Sequence, residues 1–278
     1  LVEKYRPTHA AIVPTEIKEI LHMLQKRRVD FSSLKTLRAG GDAVPLELIQ
    51  RFRERTGIEV TESYGLTECE ECCVQPPYGK KKPGSIGLPI NGTQVRLIDD
   101  EGKAVRPGES GEMVIRSEAM TVGYWGDEEN TKKVYLDGWL RTGDLAYQDE
   151  DGYFFFVGRK KNIIVKGGCN IAPAEVENVL DSHPLVKLSG VVGAPDQELG
   201  HVIHAFLVLD KEKGTPPTAQ ELSQFAVARL SALKVPDRWT FLETLPLNSI
   251  GKIDRNTLAE IASKSQRDSR RQVKRTED

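Results

Sequence analysis

The sequence has few of the residues that would mark a specialised protein. Aromatics make up 6% of its 278 residues, and it has only three methionines and four cysteines. No apolar run approaches the ~20 residues of a membrane span, so no transmembrane segment is expected. A formal net charge of -2 gives no field of one sign to draw nucleic acid or an acidic membrane. The start, LVEKYRPTHAAIV, lacks the basic and apolar regions of a signal peptide. It also lacks an initiator Met and enters mid-pattern, as if cut from a longer chain. The cysteines are Cys69, Cys72, Cys73 and Cys169. Cys69 and Cys72 make a CxxC, but no second CxxC or His pair completes a zinc set. A redox CxxC would open a helix after a strand, and here Thr67 and Glu68 precede it. Reduced thiols and a cytoplasmic location are therefore expected. With 38% hydrophobic and 29% charged residues, the chain has the composition of a globular protein. Its length allows about two domains, each with a real core.

Taken in order, residues 1–82 alternate helix and strand. Ile17, Ile20, Leu21 and Leu24 recur at helical spacing over Thr15–Arg28. Leu34–Arg38 reads as a strand ending in Gly40-Gly41. Pro45 suits a first helical turn, Gly57 a helix end, and Ile58–Thr61 the next strand. Helices between strands predict a parallel, buried sheet, whose ligands sit beyond the carboxyl ends of the strands. Gly40-Gly41 and Tyr64-Gly65 are both expected just past such ends. Residues 83–158 change character. Short strands at Gln94–Ile98, Glu112–Ser117, Trp139–Arg141 and Tyr153–Val157 are punctuated by Pro and Gly, which predicts a small antiparallel sheet or barrel. After a charged joint at 159–161, residues 162–262 read as a separate α+β domain. Its strands are expected at Asn162–Lys166, Val186–Val192, His201–Leu209 and Trp239–Leu242, and its helices at Ala174–Leu180 and Ala219–Leu233. The tail, 263–278, has almost no apolar residues and is expected to be disordered. The fold class is α/β: a partial parallel sheet, an antiparallel β part, and a mobile α+β carboxyl domain.

Four spaced elements carry a family resemblance: Tyr64-Gly65-Leu66-Thr67-Glu68, Arg141-Thr142-Gly143-Asp144-Leu145, Gly158-Arg159-Lys160-Lys161-Asn162 and Gly251-Lys252-Ile253-Asp254-Arg255. In order and spacing the chain resembles the adenylate-forming superfamily of acyl- and aryl-CoA ligases, peptide-synthetase adenylation domains and luciferase-like enzymes. The resemblance covers nearly all of the chain except the tail. It implies ATP, a carboxylic acid and CoA as substrates, with Mg²⁺ as cofactor.

The residue chemistry suits the implied roles. Tyr64 offers a flat face for adenine and Gly65 a close backbone approach. Gly40, Gly41 and Asp42 border the nucleotide and acyl pocket. Thr67 offers a hydroxyl to the α-phosphate, and Glu68 is a hard oxygen ligand for Mg²⁺. Asp144 can accept from ribose hydroxyls, and Arg159 suits ribose or phosphate. Lys252 resembles the lysine that gathers carboxylate and α-phosphate in adenylation, with Gly251 keeping its loop mobile. Lys161 is the implied pivot. The loop Lys166–Asn170 is expected to approach the cleft for thioester formation, with Lys166, Gly167 and Gly168 on the CoA path and Cys169 a bystander.

The family's Ser/Thr/Gly-rich phosphate loop is absent, so a missing amino-terminal half is expected, and independent ATP activation is in doubt. The leading reading is an acid–CoA ligase, favoured by Gly167-Gly168-Cys169-Asn170-Ile171-Ala172-Pro173. The alternatives are an adenylation domain that loads a carrier protein, and a non-catalytic fragment that binds AMP or an acyl-adenylate. A homodimer is also considered.

Overall fold

The computed structural model describes residues 1–41, 44–212, 214–249 and 251–264. Asp42 and the tail from residue 265 onward lie outside the described residues. Two compact units divide between Lys160 and Lys161.

The first unit begins with a short helix, α1 (Val2–Tyr5), then β1 (His9–Ile12), α2 (Pro14–Lys26), β2 (Thr36–Ala39), α3 (Leu46–Thr56) and β3 (Val60–Leu66). In α2, Pro14 occupies the first turn and the Glu16 carboxylate accepts from the Val13 amide at 2.9 Å. Its buried residues Ile17, Leu21 and Leu24 share one face, as helical spacing requires. Strands β1, β2 and β3 are parallel. The sheet then turns antiparallel, through β4 (Glu70–Val74) and β5 (Leu88–Pro89). Tyr64 and Gly65 therefore lie inside β3 and not beyond its end. The strand outlasts the parallel sheet because β4 supplies new backbone partners to Ser63 through Leu66.

A second sheet has the order β10-β9-β7-β6 and is antiparallel throughout: β6 (Thr93–Ile98), β7 (Ser110–Ser117), β9 (Trp139–Gln148) and β10 (Phe154–Arg159). Helix α4 (Glu128–Val134), not anticipated from the sequence, and the two-residue β8 (Tyr135–Leu136) connect β7 to β9. Strand β9 runs seven residues past the expected Arg141, because its polar residues find partners on neighbouring strands. A core of Tyr64, Met113, Ile115, Leu140 and Phe154 joins the two sheets. Cys69 and Cys72 lie in that core as a disulfide, while Cys73 is buried and free and Cys169 is exposed. The expectation of reduced thiols is corrected for this pair. The turn from β3 to β4 brings the two sulfurs together.

The second unit has one sheet, order β12-β11-β14-β13, with β15 alongside β14. Its elements are β11 (Ile164–Lys166), β12 (Cys169–Ile171), α5 (Pro173–Asp181), β13 (Val186–Asp196), β14 (Gly200–Leu209), α6 (Ala219–Val227) and β15 (Arg238–Phe241). Both faces of β14 are buried. Ile203, Ala205 and Leu207 face the core shared with α5 and α6. Val202 and Phe206 face a second core with Leu245 and Leu258. This alternation is the two-residue period of a strand. Helix α6 starts on a capping box of Thr218 and Glu221. It ends at Val227, short of the expected Leu233, and a 3-10 turn at Ala232–Lys234 precedes Pro236, which disfavours helix before it. Ser263 and Lys264 continue the helix over 255–264, where the tail was expected to begin.

Candidate functional site

In the first unit, three sequence-predicted residues meet. Asp144 sits in β9 directly opposite Arg159 of β10, so sheet register sets their approach. The Tyr64 hydroxyl donates to Asp144 Oδ2 at 2.7 Å, and Arg159 Nε lies 3.2 Å from Oδ1. The Asp144 amide donates to Thr142 Oγ1 at 3.0 Å. Asp144 is 2% exposed and Tyr64 8%, while the Arg159 side chain is half exposed. Burial and then the adjacent Asp144 charge push the Tyr64 hydroxyl far above its ordinary range, so it stays a donor. A buried carboxylate held by a hydroxyl and a guanidinium is compensated for its lost hydration. Oδ2 is thus met by the hydroxyl and Oδ1 by the guanidinium. The Tyr64 ring belongs to the core and lies 6.3 Å from Phe156, which leaves little of its face for a ligand.

Gly40 and Gly41 follow β2, whose neighbour is β3, and the Gly40 amide donates to Ile12 O at 3.3 Å. The space at Gly65 is taken from within: a Cβ there would run into the backbone of Glu70 on the paired strand. Its need for glycine is thus met by the hairpin itself. Thr67 and Glu68 form the exposed to half-exposed turn between β3 and β4. Tyr124 donates to Glu68 Oε1 at 2.7 Å, and the Glu68 carbonyl accepts from Thr121 at 2.8 Å. The bond to Glu68 pushes the Tyr124 hydroxyl up to about 12. Sequence reasoning missed Tyr124. Its signal was an aromatic pair between two glycines, Gly123-Tyr124-Trp125-Gly126.

Glu68 suits a hard cation, since Mg²⁺ is bound by one or two carboxylates together with substrate phosphates. Among the described residues no group of three or more His, Cys, Asp and Glu side chains forms an all-protein cage. The donor chemistry therefore fits a cation carried mainly by a phosphate ligand.

Glu62, two residues before Tyr64, was also missed. It is 8% exposed, and among the described residues its Oε1 has no hydrogen-bond partner. Burial pushes its carboxyl up to about 7, against the pull of backbone bonds from Gly84 and Val44. A cavity of about 120 Å³ includes Glu62 but not Tyr64, Asp144 or Arg159, so it is not the cluster's site.

In the second unit, Lys161 follows the division within a 3-10 turn, Lys160–Asn162. Lys166 was expected on the CoA path. Its side chain is buried, and its ammonium donates to both oxygens of Asp237 at 2.7 Å, so it ties β11 to the start of β15. Asp237 also accepts from the Ile203 amide at 2.8 Å. The stretch Lys166–Asn170, expected as a loop, is largely a hairpin with Lys166 opposite Cys169. Gly167 and Gly168 are its two-residue turn, at φ 56° and 80°, where glycine is favoured by handedness. Lys252 is exposed, in a turn closed by Asn248: the Lys252 amide donates to Asn248 Oδ1 at 3.0 Å and its carbonyl accepts from the Asn248 amide at 2.8 Å. Asp254 then caps the helix over 255–264 through the Asn256 and Thr257 amides. Arg255 pairs with both oxygens of Glu177 on α5.

The family model described as AMP-binding enzyme matches residues 1–125, and that of the AMP-binding enzyme C-terminal domain matches 175–252. A long-chain-fatty-acid–CoA ligase of Bacillus subtilis is 39% identical over 94% of this chain and 46% of its own length. A fatty acid–[acyl-carrier-protein] ligase of Streptomyces coeruleorubidus is 37% identical over 90% of this chain and 49% of its own. Among solved structures, an anthranilate CoA ligase in complex with anthranoyl-AMP superposes with a TM-score of 0.86 at 32% identity, covering 95% of this chain and 52% of that one. The chain thus spans about half the length of the curated relatives it matches. Among the described residues no helix is long and apolar enough to cross a membrane. The two family models, the four ordered motifs and the shared fold lead to one conclusion: the chain belongs to the adenylate-forming family of AMP-binding enzymes.

Proposed function

We propose that this chain carries the adenylate-holding and thiol-transfer part of an AMP-forming acid–thiol ligase. The observation that carries this reading is the Tyr64–Asp144–Arg159 cluster, a buried carboxylate held by a hydroxyl, with a half-exposed guanidinium beside it. In the first half-reaction a carboxylate oxygen attacks the α-phosphorus of ATP, and the bond to pyrophosphate breaks. Thr67 would donate to an oxygen of the pentacoordinate phosphorus, Lys252 would offset the charge on its equatorial oxygens, and Glu68 would hold Mg²⁺, whose charge offsets that of the phosphates. In the second, a thiolate attacks the acyl carbon and AMP leaves. Lys161 is the proposed pivot between the two arrangements. Gly167 and Gly168 offer a low hairpin turn for a pantetheine arm to pass, and Lys166 braces that hairpin from inside.

The acceptor thiol is proposed to be CoA. A carrier protein is the second reading, favoured by the likeness to a carrier-protein ligase. Supplying the chain with a synthetic acyl-adenylate and either CoA or a pantetheinylated carrier protein tests both. Thioester formed on CoA supports the first reading, and thioester on the carrier alone replaces it with the second. No thioester with either leaves a binding fragment and defeats the transferase role.

A further inference from the structure

We propose that Lys160 is a positioning residue, a fixed post that ends the first unit and holds Arg159 on Asp144. Arg159 is the last residue of β10, and Lys160 opens the turn that leads out of the unit. The Lys160 ammonium reaches back across the sheet. It lies 2.7 Å from Asp100 Oδ1, in the turn between β6 and β7, and 3.2 Å from Glu112 Oε2 on β7. Glu112 is 5% exposed and is gripped on its other side by Arg141 of β9, with Nε 3.2 Å from Oε1 and Nη2 2.5 Å from Oε2. Two cations and two carboxylates thus join the end of β10 to β9, to β7 and to the turn that precedes β7.

An exposed lysine pair alone would fix little, because solvent screens it and side-chain entropy opposes it. Glu112 differs. It is out of water, so each partner lost leaves a buried charge less compensated. The network therefore resists displacement of residue 160, and rotation about the backbone is set to begin after it. Arg159 is bounded by the register pair with Asp144 on one side and by this post on the other. Nothing in the ribose or phosphate chemistry assigned to Arg159 and Asp144 requires Lys160, Glu112 or Asp100. Their arrangement is explained by what they hold in place. The functional half of this inference rests on the proposed adenylate site, and the structural half does not.

The test is amide hydrogen exchange of residues 159–162 in the full chain, paired with the affinity for a non-hydrolysable acyl-sulfamoyl-adenosine. Lys160→Met should speed exchange at these amides on the order of threefold to tenfold, as loss of a charge-assisted bond allows. It should weaken the analogue severalfold, and raised salt should mimic part of the effect in the parent chain. Lys160→Arg should restore both. Glu112→Gln should go further, and Asp100→Asn, at an exposed turn, less far. Unchanged exchange in Lys160→Met overturns the post. Faster exchange with undiminished affinity overturns the positioning of Arg159. Should the parent chain fail to bind the analogue at all, the adenylate site is refuted, while exchange still decides the post.

Discussion

Two regions of this chain bring charge to a site in opposite ways. Around Asp144 a buried carboxylate is cross-linked to a hydroxyl and a half-exposed guanidinium, and strand register fixes the pair. Lys252 stands on an exposed turn that Asn248 closes through the backbone and that Asp254, capping the next helix, and Arg255, on Glu177, flank. The first arrangement suits a ligand that must be held in one pose. The second suits a group that meets its partner and then withdraws. The difference is one of preorganisation: side chains tied across strands at Asp144, and an exposed side chain on a backbone-closed turn at Lys252.

Several substitutions would break or sharpen this contrast. The largest stability effect should come from Asp237→Ala, which leaves the Lys166 ammonium buried without its counter-charge. A loss of about 3 kcal/mol is expected in urea unfolding of the second unit, since removing one partner of a buried pair uncovers the other. Lys166→Met, which removes the charge and keeps the volume, should cost much less. Next comes Glu62. Its folded-state carboxyl titrates at about 7, above its ordinary 4.5. The folded state therefore holds the extra proton between those values, and stability is fully present below the lower one. It is lost as pH rises through about 7, by about 3 kcal/mol in all. Denaturant melts of Glu62→Gln across pH 4 to 8 should lack this slope, and an equal slope in both proteins would refute it.

Asp144→Asn should cost about 1–2 kcal/mol, because the amide can still accept from Tyr64 but no longer balances Arg159. Lys252→Ala removes an exposed ammonium. Its expected effect is confined to adenylation. An equal loss of adenylation and of thioester formation from supplied acyl-adenylate would contradict the role given to Lys252.

Local patterns were legible in the sequence, and long-range pairings were not. The helical stripe of Ile17, Leu21 and Leu24 and the change from parallel to antiparallel strands could be read directly. Trp139–Arg141 was expected as a short strand because Thr142-Gly143-Asp144 looks like a polar turn. The strand continues because Asp144 finds Tyr64, 80 positions earlier, and Arg159 on the next strand. Lys166 was expected on the CoA path, in a loop approaching the cleft. Its partner Asp237 is 71 positions away, and nothing near either residue announces the pair. Cys69 and Cys72 carried the spacing for a bond but not the strand-to-helix setting of a redox motif, so the hairpin that joins them went unseen. The glycines at 65, 167 and 168 were recognised as special, but the reasons found are the hairpins they belong to.

Asp144, with Tyr64 and Arg159, is proposed to read the sugar of an adenylate. Calorimetric titration of the chain with an acyl-sulfamoyl-adenosine, beside Asp144→Asn and a 2′-deoxy form of the analogue, tests it most directly. The account predicts that Asp144→Asn and the deoxy analogue each weaken binding by on the order of tenfold, and that the two losses together do not add. Full affinity in Asp144→Asn, or fully additive losses, would contradict it.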